Sequence, residues 1–230
     1  MDDFFRELVK NPPLLEAVVA FNLANHAPGK VQIDPILGDG QAGLNGPLQA
    51  LVASEVKKNP KLRRFFPGGD ALGDFWDFGP EPLRLTLLSD ADFGQLALRF
   101  GAAVWGEVLA KAVDAKTVRA LKANLGEELL DWAVDRGRFW LGDLGDFYRQ
   151  SPMAPQDREG LRLSGLGAIN VAWSPLPPGL AAKVGGRVVA ESQMPNLGGH
   201  LPANLAARTF ARLKNLLLTE VAPSWRPCFS

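Results

Sequence analysis

The sequence predicts a mainly α-helical protein, and three observations carry that prediction. Apolar residues between Pro82 and Phe139 recur at three- and four-residue steps. Residues suited to opening and closing helices stand at the ends of those runs. Strand-like composition is confined to a minor β element near residues 169–190. At 230 residues, 47% of them hydrophobic, the chain can fill one buried core or two closely packed lobes, with no clear linker between them.

The elements follow in order. Phe4, Phe5 and Leu8 form a short amphipathic turn, which Pro12 and Pro13 separate from a helix through Leu14, Val18, Phe21 and Leu23; His26, Pro28 and Gly29 end it. Asn45, with Pro47 just inside, opens a second helix whose apolar face is Leu48, Leu51, Val52 and Val56, and Asn59-Pro60 stops it. Ser89 fits an N-cap with Asp90 and Asp92 in the positively poled first turn and Leu88 set to clasp Phe93. The stripe Phe93, Leu96, Phe100, Val104 and Val108 then faces inward while Arg99, Glu107 and Lys111 fall off it. Asp114 caps the next helix, with Val113 and Val118 as a staple pair and Val118, Leu121 and Leu125 along its apolar side. Gly126 supplies the permissive position at its end. Leu129, Leu130, Trp132 and Ala133 continue a further helical pattern.

From Ser151 to Gly199 the chain is dense in Pro and Gly. A strand at Ile169 to Trp173 is expected there, with a hairpin across Gly185-Gly186 joining Ala181–Val184 to Arg187–Ala190. A last helix runs from Pro202 to about Glu220, its apolar stripe Ala206, Phe210, Leu213 and Leu217, its polar stripe Arg208, Arg212, Asn215 and Thr219.

Charge and cysteine usage bound the function. Twenty-five basic against twenty-five acidic residues leave no formal net charge, so nothing sequence-wide argues for nucleic acid or an anionic membrane. A single cysteine, Cys228, makes an internal disulfide impossible, the start Met1-Asp2-Asp3 is the reverse of a basic signal-peptide leader, and no apolar run reaches membrane-span length. A cytosolic location is the expectation.

Catalytic motifs are weak. Gly38-Asp39-Gly40-Gln41-Ala42-Gly43 matches the glycine pattern that can present N–H groups to a pyrophosphate, but Pro35 interrupts the preceding stretch and the next helix starts beyond the glycines, so a plain loop is the better reading. His26 and His200 stand apart from any Cys, Asp or Glu at metal-ligand spacing, and Cys228 has no nearby base. The acid pairs Asp90/Asp92 and Glu127/Glu128 sit at helix starts, where the helix dipole accounts for them. No catalytic, cofactor or metal residue is assigned. A phosphoester-binding enzyme using residues 38–43 and a helical small-molecule regulatory module are the alternatives to a protein-binding role.

Partner-binding candidates come from two places. Gly73 to Gly79 interleaves three aromatics with two acids, so Trp76 and Phe78 could anchor a contact and Asp74 and Asp77 select a basic partner; a loop that folds its aromatics back onto the Phe93 helix is the better reading. Arg208 and Arg212 form an outward basic stripe with no acid at the i+4 positions. Trp225 and Phe229 in the tail pose the same choice between docking on their own domain and capping a partner.

The run PLRLTLLSDADFGQLALRFGAAV, followed by DAKTVRALKANLGEELLDWAV, resembles the adaptor family of bacterial type III secretion systems known as SctK, YscK, OrgA or MxiK. The shared features are a Leu-rich lead-in, an apolar helix with Gly101 at mid-length, the segment Val118 to Glu127, and an aromatic-bearing helix; the ending LLLTEVAPSWRPCF is similar too. The resemblance implies a non-catalytic cytoplasmic component of the sorting platform. Its protein partners would be the cytosolic domain of the inner-membrane ring protein and the C-ring-like pod protein, with the membrane reached only through them.

Overall fold

The computed structural model describes residues 10–24, 77–149, 157–174, 176–184 and 204–229, with Phe4, Glu7, Leu8, Pro155 and Arg187. Nine α-helices are labelled among them: α1 (Pro12–Ala24), α2 (Asp90–Leu109), α3 (Ala115–Leu125), α4 (Glu127–Trp132), α5 (Arg138–Trp140), α6 (Asp143–Tyr148), α7 (Arg158–Trp173), α8 (Pro178–Lys183) and α9 (Leu205–Leu216). A π-helical turn, Ala133–Gly137, joins α4 to α5, and a second, Leu217–Val221, extends α9. Short 3₁₀ helices cover Glu81–Leu87 and Pro223–Phe229. No described residue is in a strand. The chain divides into two compact units, one of Met1–Leu87, Leu176–Gly185 and Arg226–Ser230, the other of Leu88–Pro175 and Gly186–Trp225.

In the first unit, α1 begins where Asn11 Oδ1 accepts the Leu14 N–H at 3.2 Å, so Pro12 and Pro13 occupy positions whose missing N–H groups leave no helix bond unmade. Leu14, Leu15 and Val18 bury its inner face. Arg84, only 2% exposed, ties the unit's separate stretches together. Its Nε donates to the Phe78 carbonyl at 2.9 Å, its Nη1 to the Cys228 carbonyl at 2.9 Å, and it pairs with Glu7 at 2.8 Å. A guanidinium taken out of water is tolerable only with its donors and charge so satisfied. Burial pushes the Cys228 thiol above its ordinary pKa, which leaves it a packing group instead of a nucleophile.

The second unit is built around α2. Ser89 Oγ accepts the Asp92 N–H at 3.1 Å, Asp90 and Asp92 lie in the first turn, and Leu88 and Phe93 are both buried, as the sequence predicts. Twelve of its 20 residues are buried, on every side, because α7 crosses it at backbone contact and the first π turn, α5, α6 and α9 also pack on it. A Cβ at Gly101 would lie 1.8 Å from the Leu161 carbonyl oxygen, and one at Gly165 would lie 1.8 Å from that of Ala97. Only hydrogen fits at either position. A third close approach, at Gly106, would set a Cβ 2.6 Å from the Ala133 carbonyl oxygen and 2.7 Å from the Arg138 nitrogen, so the first π turn lies directly on α2. Glu220, in the other π turn, accepts from Trp132 Nε1 at 3.3 Å and pairs with Arg136 at 3.5 Å. Phe93 stacks on Trp173 with ring centroids 5.7 Å apart, and the buried hydroxyls of Tyr148 and Thr209 meet at 2.7 Å, joining α6 to α9.

Three local expectations are corrected. Ile169 to Trp173 is the last part of α7, not a strand; Asp157 Oδ1 caps that helix by accepting the Gly160 N–H at 2.8 Å, and residues 165–173 are all buried. A helix buried all round shows no 3.6-residue period, so its β-branched and aromatic end reads as a strand. Ala181 to Lys183 belong to α8, which removes the first arm of the proposed hairpin; residues 188–190 lie outside the described set. Val113 does not staple Val118, because its side chain is 90% exposed and Asp114 alone closes the helix start, accepting the Thr117 N–H at 2.8 Å.

Candidate partner-binding surface

The sequence-predicted candidates separate once their surroundings are known. Asp74 and Trp76 lie outside the described residues, as do His26, His200 and the glycine loop at 38–43. Asp77 is exposed, and its carboxylate accepts the Gly79 N–H at 3.3 Å, a short turn that leaves the charge facing solvent. Phe78 is a core residue: fully buried, it meets the Phe21 ring edge-on at 5.5 Å between centroids, and its carbonyl anchors Arg84. An aromatic so enclosed is not available to a partner, so Phe78 is withdrawn as a contact residue.

On α9 the two arginines are both exposed but not equivalent. Arg208 Nη2 donates to both carboxylate oxygens of Asp143, at 2.7 and 2.6 Å, so its charge is neutralised across helices. The same hydrogen bond holds the Asp143 carboxyl below its ordinary pKa. Sequence spacing along α9 could not show this acid, which comes from the start of α6. Arg212 makes no ion pair among the described residues. In the tail, Trp225 Nε1 donates to Asp92 Oδ2 at 3.1 Å and Phe229 is buried, so both aromatics serve their own chain.

Two apolar side chains are exposed that sequence reasoning did not expect to be, since it gave Val113 a staple role and Phe139 none. Val113 is 90% and Phe139 69% exposed, the latter with the Arg138 guanidinium over its ring at 4.5 Å. Phe139 carries a readable signal, an aromatic directly after Arg136-Gly137-Arg138, although the π turn that precedes it has no sequence period of its own. No group of three or more His, Cys, Asp or Glu among the described residues could hold a metal ion, and no described helix is long and apolar enough to cross a membrane.

The model of the YscK family, YOP proteins translocation protein K, matches residues 77–224, well over half of the chain. The chain belongs to the YscK family. It is a type III secretion protein, and its family consists of secretion-apparatus components whose partners are proteins of the same machinery. The match takes in the whole α2–α7 crossing, α9 and its π extension, together with Val113, Phe139, Arg208 and Arg212. No curated protein and no solved structure matches this YscK chain.

Proposed function

We propose that this YscK protein is a non-catalytic adaptor of the sorting platform, bridging the cytosolic domain of the inner-membrane ring protein to the C-ring-like pod protein. It would work in the cytoplasm and sit at the inner membrane through those partners. The family match over residues 77–224 carries the reading. The structure supports it with a second unit whose helix backbones interlock at glycines, a firm body on which an exposed patch can be presented to a partner. Trp76 is the proposed anchor, with Asp74 and Asp77 as its polar rim and Arg212, without an ion pair among the described residues, as the cation of a second patch; Arg208 would support that patch through Asp143.

Co-purification from a host expressing the whole secretion locus tests the role. The adaptor reading expects both the ring protein and the pod protein with the wild-type chain. Trp76→Ala is expected to weaken one of them by about 2 kcal/mol without an earlier melt. Recovery of neither protein would overturn the reading, and a Trp76→Ala chain that melts early with affinity per folded molecule unchanged would move Trp76 into the core.

A further inference from the structure

We infer that residues 111–123 form a docking face for an acidic protein segment carrying an apolar side chain, with Val113 as the apolar contact and Lys111, Lys116 and Arg119 as the charges that select it. This rests on the adaptor reading and names the chemistry of one of its partners.

Helix α3 is thinly packed. Of its 11 residues only Leu121 and Leu125 are buried, and Val118 is half-buried beside them. Its outward side presents Lys116, Arg119, Ala120 and Ala123, all exposed, while Val113 stands 90% exposed just before the cap. Isolated exposed apolar residues are ordinary, so Val113 gains its meaning from the charges around it.

Seven described arginines have carboxylate partners: Arg84 with Glu7, Arg99 with Glu128, Arg136 with Glu220, Arg149 with Glu107, Arg162 with Glu159, Arg187 with Asp90 and Arg208 with Asp143. Lys111, Lys116 and Arg119 have none among the described residues. Arg119 Nε donates only to the Ala115 carbonyl of its own helix, at 3.0 Å. The one acid in the segment, Asp114, is occupied in capping Thr117. The first turns of α2 and α4 carry Asp90/Asp92 and Glu127/Glu128, as the helix dipole favours, whereas the first turn of α3 carries Lys116 and no acid. The helix dipole disfavours a cation at that position, and a carboxylate-bearing partner would offset it. In a chain of zero net charge the excess is local, and it complements an acidic stretch.

One valine and two alanines offer too little apolar surface to seat a helix in a lipid interface, which favours a protein segment over a membrane. The test uses the full chain against the purified cytosolic domain of the ring protein and, separately, the pod protein, at low and high salt. Compared are the wild type, Lys116→Glu/Arg119→Glu, Val113→Ser and a control, Lys10→Glu. Both α3-region variants are expected to lose about tenfold or more in affinity for the same one of the two partners. Wild-type binding to that partner should weaken with salt, while Lys10→Glu and the other partner are unaffected. Wild-type affinity for both partners in both variants would overturn the docking face while leaving the adaptor reading in place. A wild-type chain that binds neither protein would overturn both, and co-sedimentation with phosphatidylglycerol vesicles, lost on charge reversal, would reassign the patch to a membrane.

Discussion

Helices α2 and α3 follow one another in the chain with only residues 110–114 between them, yet they are held by opposite means. α2 is buried on all sides and meets α7 backbone to backbone through Gly101 and Gly165; α3 buries two residues and turns its cations outward. The contrast separates two uses of a helix. In α2 side-chain volume is limited by the neighbouring backbone, so the tolerable residue is fixed by space. On the outer side of α3 the fold sets little constraint on the side chain, so Lys116 and Arg119 are free to serve a partner.

The largest expected effect is at the crossing. Gly165→Val places side-chain atoms where the Ala97 carbonyl sits, and backbone cannot step aside as a flexible side chain can. A loss of about 3 kcal/mol or more, read from chemical denaturation, is expected; a variant that unfolds with the wild type would mean that the helices separate freely there.

Gly126 lies at the joint between α3 and α4, with φ 86° and ψ 143°, a conformation essentially restricted to glycine. Gly126→Val is expected to cost roughly 1 to 3 kcal/mol. The value sharpens the comparison: a full cost in global stability ties α3 to the core, whereas fraying of α3 alone, seen as lost helix signal without a shifted main transition, shows it attached only loosely.

Tyr148 supports α2 from the side, its ring edge-on to Phe100 at 5.9 Å and its hydroxyl on Thr209. Burial pushes its phenol up to about 12 from 10.0, against a smaller opposite pull from the Thr209 hydrogen bond. Unfolded tyrosine ionises first, so the stability Tyr148 contributes is intact below about pH 10 and lost as the pH climbs toward 12. Because it is the chain's one tyrosine, tyrosinate absorbance follows it directly. Tyr148→Phe should cost about 1 kcal/mol by leaving the Thr209 hydroxyl unpartnered, and its part of the alkaline slope should vanish.

What was legible in the sequence was local. Ser89, Asp114 and Gly126 act within one turn of their own position, and the α9 stripe repeats at helix period, so the caps and that inward face could be read directly, whereas the α2 stripe marks only part of a surface buried all round. The crossing could not be read. Gly101 and Gly165 are partners only through the way α2 meets α7, and the all-round burial that results erased the period of residues 165–173. The candidate site followed the same rule. Arg212 was recognisable as outward-facing, but the pairing of Arg208 with Asp143, the enclosure of Phe78 and the exposure of Val113 all depend on segments distant in sequence or on the path of a connecting turn.

The smallest effect belongs to α3. Lys116→Glu/Arg119→Glu should change the stability of the isolated chain by no more than about 0.5 kcal/mol, because neither cation has an ion pair among the described residues. A thermal melt checks it, and a large loss would give these residues a structural role.

Native-state hydrogen exchange of the isolated chain tests the contrast most directly. Amides of α2 and α7 around Gly101 and Gly165 should exchange only through global unfolding, with denaturant dependence to match, while those of α3 should exchange through local opening at a clearly lower free energy. Equal protection of Leu121–Leu125 and of the residues flanking Gly101 would contradict the account, making α3 part of the same cooperative core and removing the physical reason to regard its outer face as free for a partner.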